Sequence, residues 1–169
     1  MSLPYVIVAN SSTARFFRVQ AAELPELESG PNLIEELKKE NPEGGVSGRE
    51  VFSDPKSGRN RVSSGGSGAG HQYDEHRDDH LREMEKQFAE TLAGESARRA
   101  MAAATGKLIV VATPHMLGLL RPQIAKKSSN GIQVIEVSAD LVKESPIALH
   151  HYLADKNLLP ERRPPTPHE

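Results

Sequence analysis

Apolar residues recur along the chain in distinct rhythms, and each rhythm predicts an element. Tyr5 to Ala9 (YVIVA) is a continuous apolar run rich in β-branched residues, the pattern of a strand covered on both faces. Asn10, Ser11, Ser12 and Thr13 supply turn chemistry, and Ala14 to Gln20 resumes as a strand, so the two runs predict an antiparallel hairpin. Lys107 to Ala112 (KLIVVA) repeats the fully covered pattern, whereas Ile132 to Val137 alternates as a half-buried strand does, after a turn at Asn130-Gly131. A helical rhythm runs from Asp74 to about Ala104. Leu81, Met84, Phe88 and Leu92 form one stripe, which Ala97 and Met101 continue with some drift. Asp78–Arg82 and Glu95–Arg99 are acid-before-base pairs one turn apart, and Asp74, Glu75, Asp78 and Asp79 suit the positive end of a helix dipole. Gly94 interrupts this helix at a cost of about 1 kcal/mol relative to alanine; a bend is expected there, and Gly106 is the expected stop. Thr113-Pro114 and Ser145-Pro146 each read as a cap followed by proline, opening helices to about Lys127 and Asp155. Residues 31–40 (PNLIEELKKE) fit either a short helix or an edge strand, with propensity leaning to the helix.

With 31–40 counted as a strand, the order is β-β-β-α-β-α-β-α. This predicts an α/β fold: a mixed sheet with helices packed on it, in a ribonuclease-H-like arrangement. A chain of 169 residues fits one domain. From Asn41 to Tyr73 the composition collapses into Gly, Ser, Pro and charge, which cannot bury enough apolar surface to offset ordering entropy. A flexible loop at about 45–73 is therefore expected inside a single domain spanning 1–157. Residues 158–169, which include PERRPPTPHE, are expected to form a disordered proline-rich tail with no core to join.

Composition narrows the function classes. Cysteine is absent, which removes disulfides, thiolate nucleophiles and Cys-ligated metals. The first apolar run is far shorter than the roughly 7–15 residues of a secretory core or the ~20 of a membrane span, so no span and a soluble, cytoplasmic location are expected. Net charge is −2 and aromatics make up 4% of residues, with no tryptophan. Neither a global field nor a stacking platform attracts nucleic acid, and any such contact must be local.

Several segments resemble, in sequence and in order, the bacterial family of proteins required for attachment to host cells. They are Val8 to Phe17 (VANSSTARFF), Asn41-Pro42, Ser53-Asp54 with Gly58-Arg59, the His-bearing Gly-rich entry to the long helix, Phe88-Ala89 with Leu92-Ala93, and Leu108 to Arg121 (LIVVATPHMLGLLR). The resemblance covers about residues 5–155 and implies kinship with the central domain of archaeal and eukaryotic peptide-chain release factors. That domain has a ribonuclease-H-like fold and carries a Gly-Gly-Gln loop before its long helix. The family name records a phenotype rather than a molecular activity.

In the corresponding slot this chain has Gly65, Gly66, Ser67, Gly68, Ala69, Gly70, His71 and Gln72. The glycine pair and the glutamine are present, but Ser67 follows the pair and His71 precedes Gln72, so the strict motif is broken. The resemblance implies Gln72 as the catalytic residue of an alternative reading, ester hydrolysis of peptidyl-tRNA. On composition the segment reads first as a solvated loop. Its cations Arg49, Lys56, Arg59 and Arg61, with Gly65, Gly66, Gly68, Gly70 and His71, form a candidate RNA- or phosphate-binding set. The expected partners are RNA, the ribosome or a protein, and no cofactor is expected. His76 and His80 stand one helical turn apart, a weak candidate metal pair, but Arg77 follows His76 where a zinc protease would need glutamate. A ribonuclease H needs carboxylates on its central strands for two metal ions; neither Tyr5–Ala9 nor Lys107–Ala112 carries one. Thr113, Pro114 and His115 follow a buried strand, where open α/β sheets tend to bind ligands, although ordinary capping with an exposed His115 explains them as well.

Overall fold

The computed structural model describes residues 2–42, 69–128 and 131–166, apart from the side chains of 69–73. Among the described residues five strands are present: β1 (Tyr5–Ala9), β2 (Thr13–Gln20), β3 (Asn32–Glu40), β4 (Lys107–Ala112) and β5 (Gln133–Ser138). Three helices among the same residues accompany them: α1 (Ala69–Ala102), α2 (Pro114–Lys127) and α3 (Pro146–Asp155). The strands form one mixed sheet in the order β3-β2-β1-β4-β5. β1 pairs antiparallel with β2, and β2 with β3, while β4 runs parallel to both β1 and β5.

Both continuous apolar runs lie at the centre, side by side, with Val6 opposite Ile109 and Val8 opposite Val111. A two-residue side-chain period sends alternate residues to opposite faces. Tyr5, Ile7, Phe16, Leu108 and Val110 meet Phe88 and Leu92 of α1 and Met116 and Leu120 of α2 on one face. Val6, Val8, Phe17, Ile109 and Val111 meet Leu149 and Leu153 of α3 on the other. A strand covered on both faces must read apolar throughout, which is why these two runs have no polar phase.

Residues 32–40 are a strand, against the helical lean of their propensity. Leu33 pairs with Val19 and Leu37 with Phe16, and this packing outweighs the local preference of Glu and Lys. The register shifts at Phe16/Phe17, whose partners are Leu37 and Glu35, leaving Glu36 as the extra residue of a bulge.

The long helix begins at Ala69, five residues before the predicted start, so its first turn holds no acid and Asp74 and Glu75 lie beyond it. The buried stripe is Phe88, Ala89, Leu92, Ala93, Ala97 and Ala100; Met101 is 59% exposed, because the stripe turns toward Ala100 instead. The helix stops before Gly106. Ala104 takes the left-handed conformation at φ 50°, and the N–H of Thr105 reaches back to the carbonyl of Ala100. Thr113 stands at the start of α2 without a side-chain capping bond, whereas Ser145 accepts from the N–H of Ala148 at 3.1 Å. Arg82 pairs at 3.7 Å with Asp79 rather than with Asp78, and Arg99 pairs with Glu95 at 2.6 Å as its spacing predicts.

Residues 158–166 dock instead of trailing away. Leu159 is buried, Arg163 and Gly30 exchange backbone hydrogen bonds, and the N–H of Thr166 donates to the carbonyl of Pro25. A proline-rich segment lacks a core of its own; here the 21–31 connection supplies one.

Candidate functional site

The carboxyl ends of β1 and β4 open side by side at one end of the sheet. There Asn10 Oδ1 accepts hydrogen bonds from the N–H groups of Ser12 (2.9 Å) and Thr13 (2.8 Å) and from the Ser12 hydroxyl (3.0 Å). The turn chemistry is thus used to build a turn, and the Ser12 hydroxyl is committed to it. Asn41, at the exit of β3, is buried and bonds the backbone of Ser11 and Ser12. His115 Nε2 lies 2.5 Å from Glu85 Oε2, tying the start of α2 to α1. No Ser-His-acid relay is present among the described residues.

On the α3 side of this end lies a cleft of about 610 Å³ lined by Asn10, Thr13, Arg15, Glu35, Lys38 and the 142–145 loop. Arg15 spans its floor. Its guanidinium grips Glu35 at 2.8–3.2 Å, donates to the carbonyls of Val142 (3.0 Å) and Glu144 (2.6 Å), and stacks 4.9 Å above Phe17. Arg15 is therefore a structural pin, and its charge is spent within the fold.

On the opposite face a second network braces α1. Tyr5 donates to Glu36 Oε2 at 2.7 Å, Arg18 donates to Glu36 Oε1 at 3.0 Å, and Arg99 donates to Glu36 Oε2 at 3.1 Å. Burial, reinforced by the hydrogen bond to Glu36, pushes the Tyr5 phenol above its ordinary range. Burial alone would raise Glu36, but hydrogen bonds from Tyr5, Arg18 and Arg99 outweigh it and hold the carboxyl below its ordinary value. Hydrogen bonds from Arg98 and Arg99 likewise lower Glu95, against burial.

Beyond this brace, residues 74–87 of α1 have no buried side chain. Leu81 and Met84 are half-buried, and the rest of the stretch is mostly charged: six acids against Arg77, Arg82 and Lys86. His76 and His80 are exposed on this arm, and no group of three metal-ligating side chains exists among the described residues. Gly70, His71 and Gln72 belong to the first turn of α1 rather than to a loop. Arg49, Lys56, Arg59, Arg61, Gly65, Gly66 and Gly68 lie outside the described residues. The Tyr5–Glu36–Arg99 brace and the Arg15 pin escape sequence reading. Their one available signal is a tyrosine in a doubly covered strand, whose hydroxyl must find a partner.

Together these features define an α/β domain that braces a long helix on one sheet face, with residues 74–84 of that helix carrying no buried side chain. The family model described as "Protein required for attachment to host cells" matches residues 5–153, and the chain belongs to that family. A search of curated proteins gives no match. Among the described residues no helix is long and apolar enough to cross a membrane.

Proposed function

We propose that this chain is a non-catalytic interaction module which engages the ribosome or another RNA through the basic, Gly-rich residues between β3 and α1. The observation that carries the reading is the braced helix. α1 is fixed at its carboxyl-terminal half by Phe88, Leu92 and Arg99, and that segment precedes its amino-terminal end in the sequence. The acidic arm repels phosphate, so attraction falls to Arg49, Lys56, Arg59 and Arg61, against Glu50 and Asp54. The strand order β3-β2-β1-β4-β5, three antiparallel strands followed by two parallel ones, supports a ribonuclease-H-like topology and with it the kinship to release factors.

Co-sedimentation of the purified protein with ribosomes across a salt series tests this reading. Binding that weakens with salt and drops at least about tenfold in an Arg59→Ala, Arg61→Ala double variant is expected. Absence of binding by the wild type, or equal binding by the variant, rejects it. The release-factor kinship also motivates a hydrolase alternative. It requires turnover of a peptidyl-tRNA mimic that disappears in Gln72→Ala.

A further inference from the structure

His150 sits in the middle of α3, fully buried among the apolar residues of that face. Its Nε2 faces the carbonyl of Pro160 at 2.7 Å, so Nε2 carries a proton and donates it to that carbonyl; in the neutral ring Nδ1 is left without one. Nδ1 is then a bare acceptor, and it has no hydrogen-bond partner among the described residues although it is buried. The carbonyl belongs to the docked segment 158–166, which walls a cleft of about 610 Å³ with Leu3, Ala21, Pro25 and Pro31 opposite it. Arg162 of the same segment donates twice to the neutral Oδ1 of Asn32, at 2.8 and 3.0 Å, and pairs with no carboxylate among the described residues.

We propose that residues 158–166 are an acid-released strap, latched to the body by neutral His150 and freed when that ring gains a proton. A proton on Nδ1 creates a buried donor with nothing to accept it. It also sets a cation on α3 against the unpaired Arg162 cation of the strap. Lifting the strap uncovers the Nε2 edge of the ring to water and separates the two charges. The other charged groups around the ring do not offset this. His151 neighbours it on α3, Glu35 on the facing side of β3 is held by Arg15, and Glu161 and Arg163 of the strap are exposed. Burial, with Arg162 and His151 adding to it, keeps the His150 ring below its ordinary value against the Pro160 bond, so the latch holds at neutral pH.

Amide-exchange protection of the whole chain, corrected for intrinsic rates and compared between about pH 7.5 and pH 5, tests the strap. The expected result is a fall of about tenfold or more at Arg163 and Thr166, with the central amides of β1 and β4 unchanged. His150→Gln keeps an N–H donor toward Pro160 but cannot titrate, and its strap protection is expected to stay level. Protection that is flat in the wild type, lost only together with the sheet, or lost equally in H150Q overturns the proposal. Should H150Q fail to fold, the wild-type imidazole resonance decides: its titration midpoint must coincide with the strap transition, and separate midpoints overturn the latch.

Discussion

Glu36 has three partners because one extra residue in β3 turns its carboxylate toward α1. Without that bulge, strict alternation would send either Glu36 or Leu37 to the wrong face. Tyr5→Phe keeps the ring in the core and deletes one bond to the carboxylate. We expect a loss of about 1–2 kcal/mol in urea unfolding, with no change in m. The sign of the pH dependence follows from the shift. Because the Tyr5 phenol is raised in the folded state, its contribution is complete below its ordinary value of 10.0 and is lost as pH rises beyond it. Tyr5→Phe is therefore expected to flatten the alkaline limb of a stability–pH curve. Glu36 and Glu95 act in the opposite limb: their lowered carboxyls stabilise above the ordinary value of 4.5 and lose that contribution as pH falls below it. At this scale the sequence is least legible. Tyr5 and Glu36 are 31 residues apart, and no local pattern marks a bulge.

Two positions, one inside α1 and one just past its end, argue for opposite substitutions. At Gly94 an added Cβ would meet only Lys127 side-chain atoms, at 3.7 Å, which is ordinary contact. Gly94→Ala is expected to stabilise by about 0.5–1 kcal/mol, since helix propensity is gained without a clash. At Ala104 the left-handed backbone disfavours any side chain, and Ala104→Gly is expected to gain about 1 kcal/mol; thermal unfolding of the two variants checks both. The docked strap gives a third expectation. Deleting residues 158–169 uncovers the buried Leu159 site and should cost about 2–3 kcal/mol, where a disordered tail would cost nothing. Cap-then-proline pairs and continuous apolar runs located α2, α3, β1 and β4 because those signals are local. Residues 31–40 stayed open between helix and strand, and Met101 misled, because their fate is decided by what they pack against. The strap misled because prolines without an apolar periodicity give no hint of a docking groove formed by 21–31.

At the scale of the molecule, the pairing of β1 with β4 was legible, since two runs with no polar phase must share the middle of a sheet. The function was less so. The cations assigned to binding are read from residues 49–61, outside the described residues, while the visible arm of α1 is acidic. The central pairing also bears on synthesis. Val6 and Ile109 are neighbours in the sheet yet separated by roughly a hundred residues of chain, so a nascent polypeptide can close the β1–β2–β3 meander long before β4 leaves the ribosome. Until then an apolar strand edge stands unpaired, and the protein's most vulnerable interval falls between translating its third strand and its fourth.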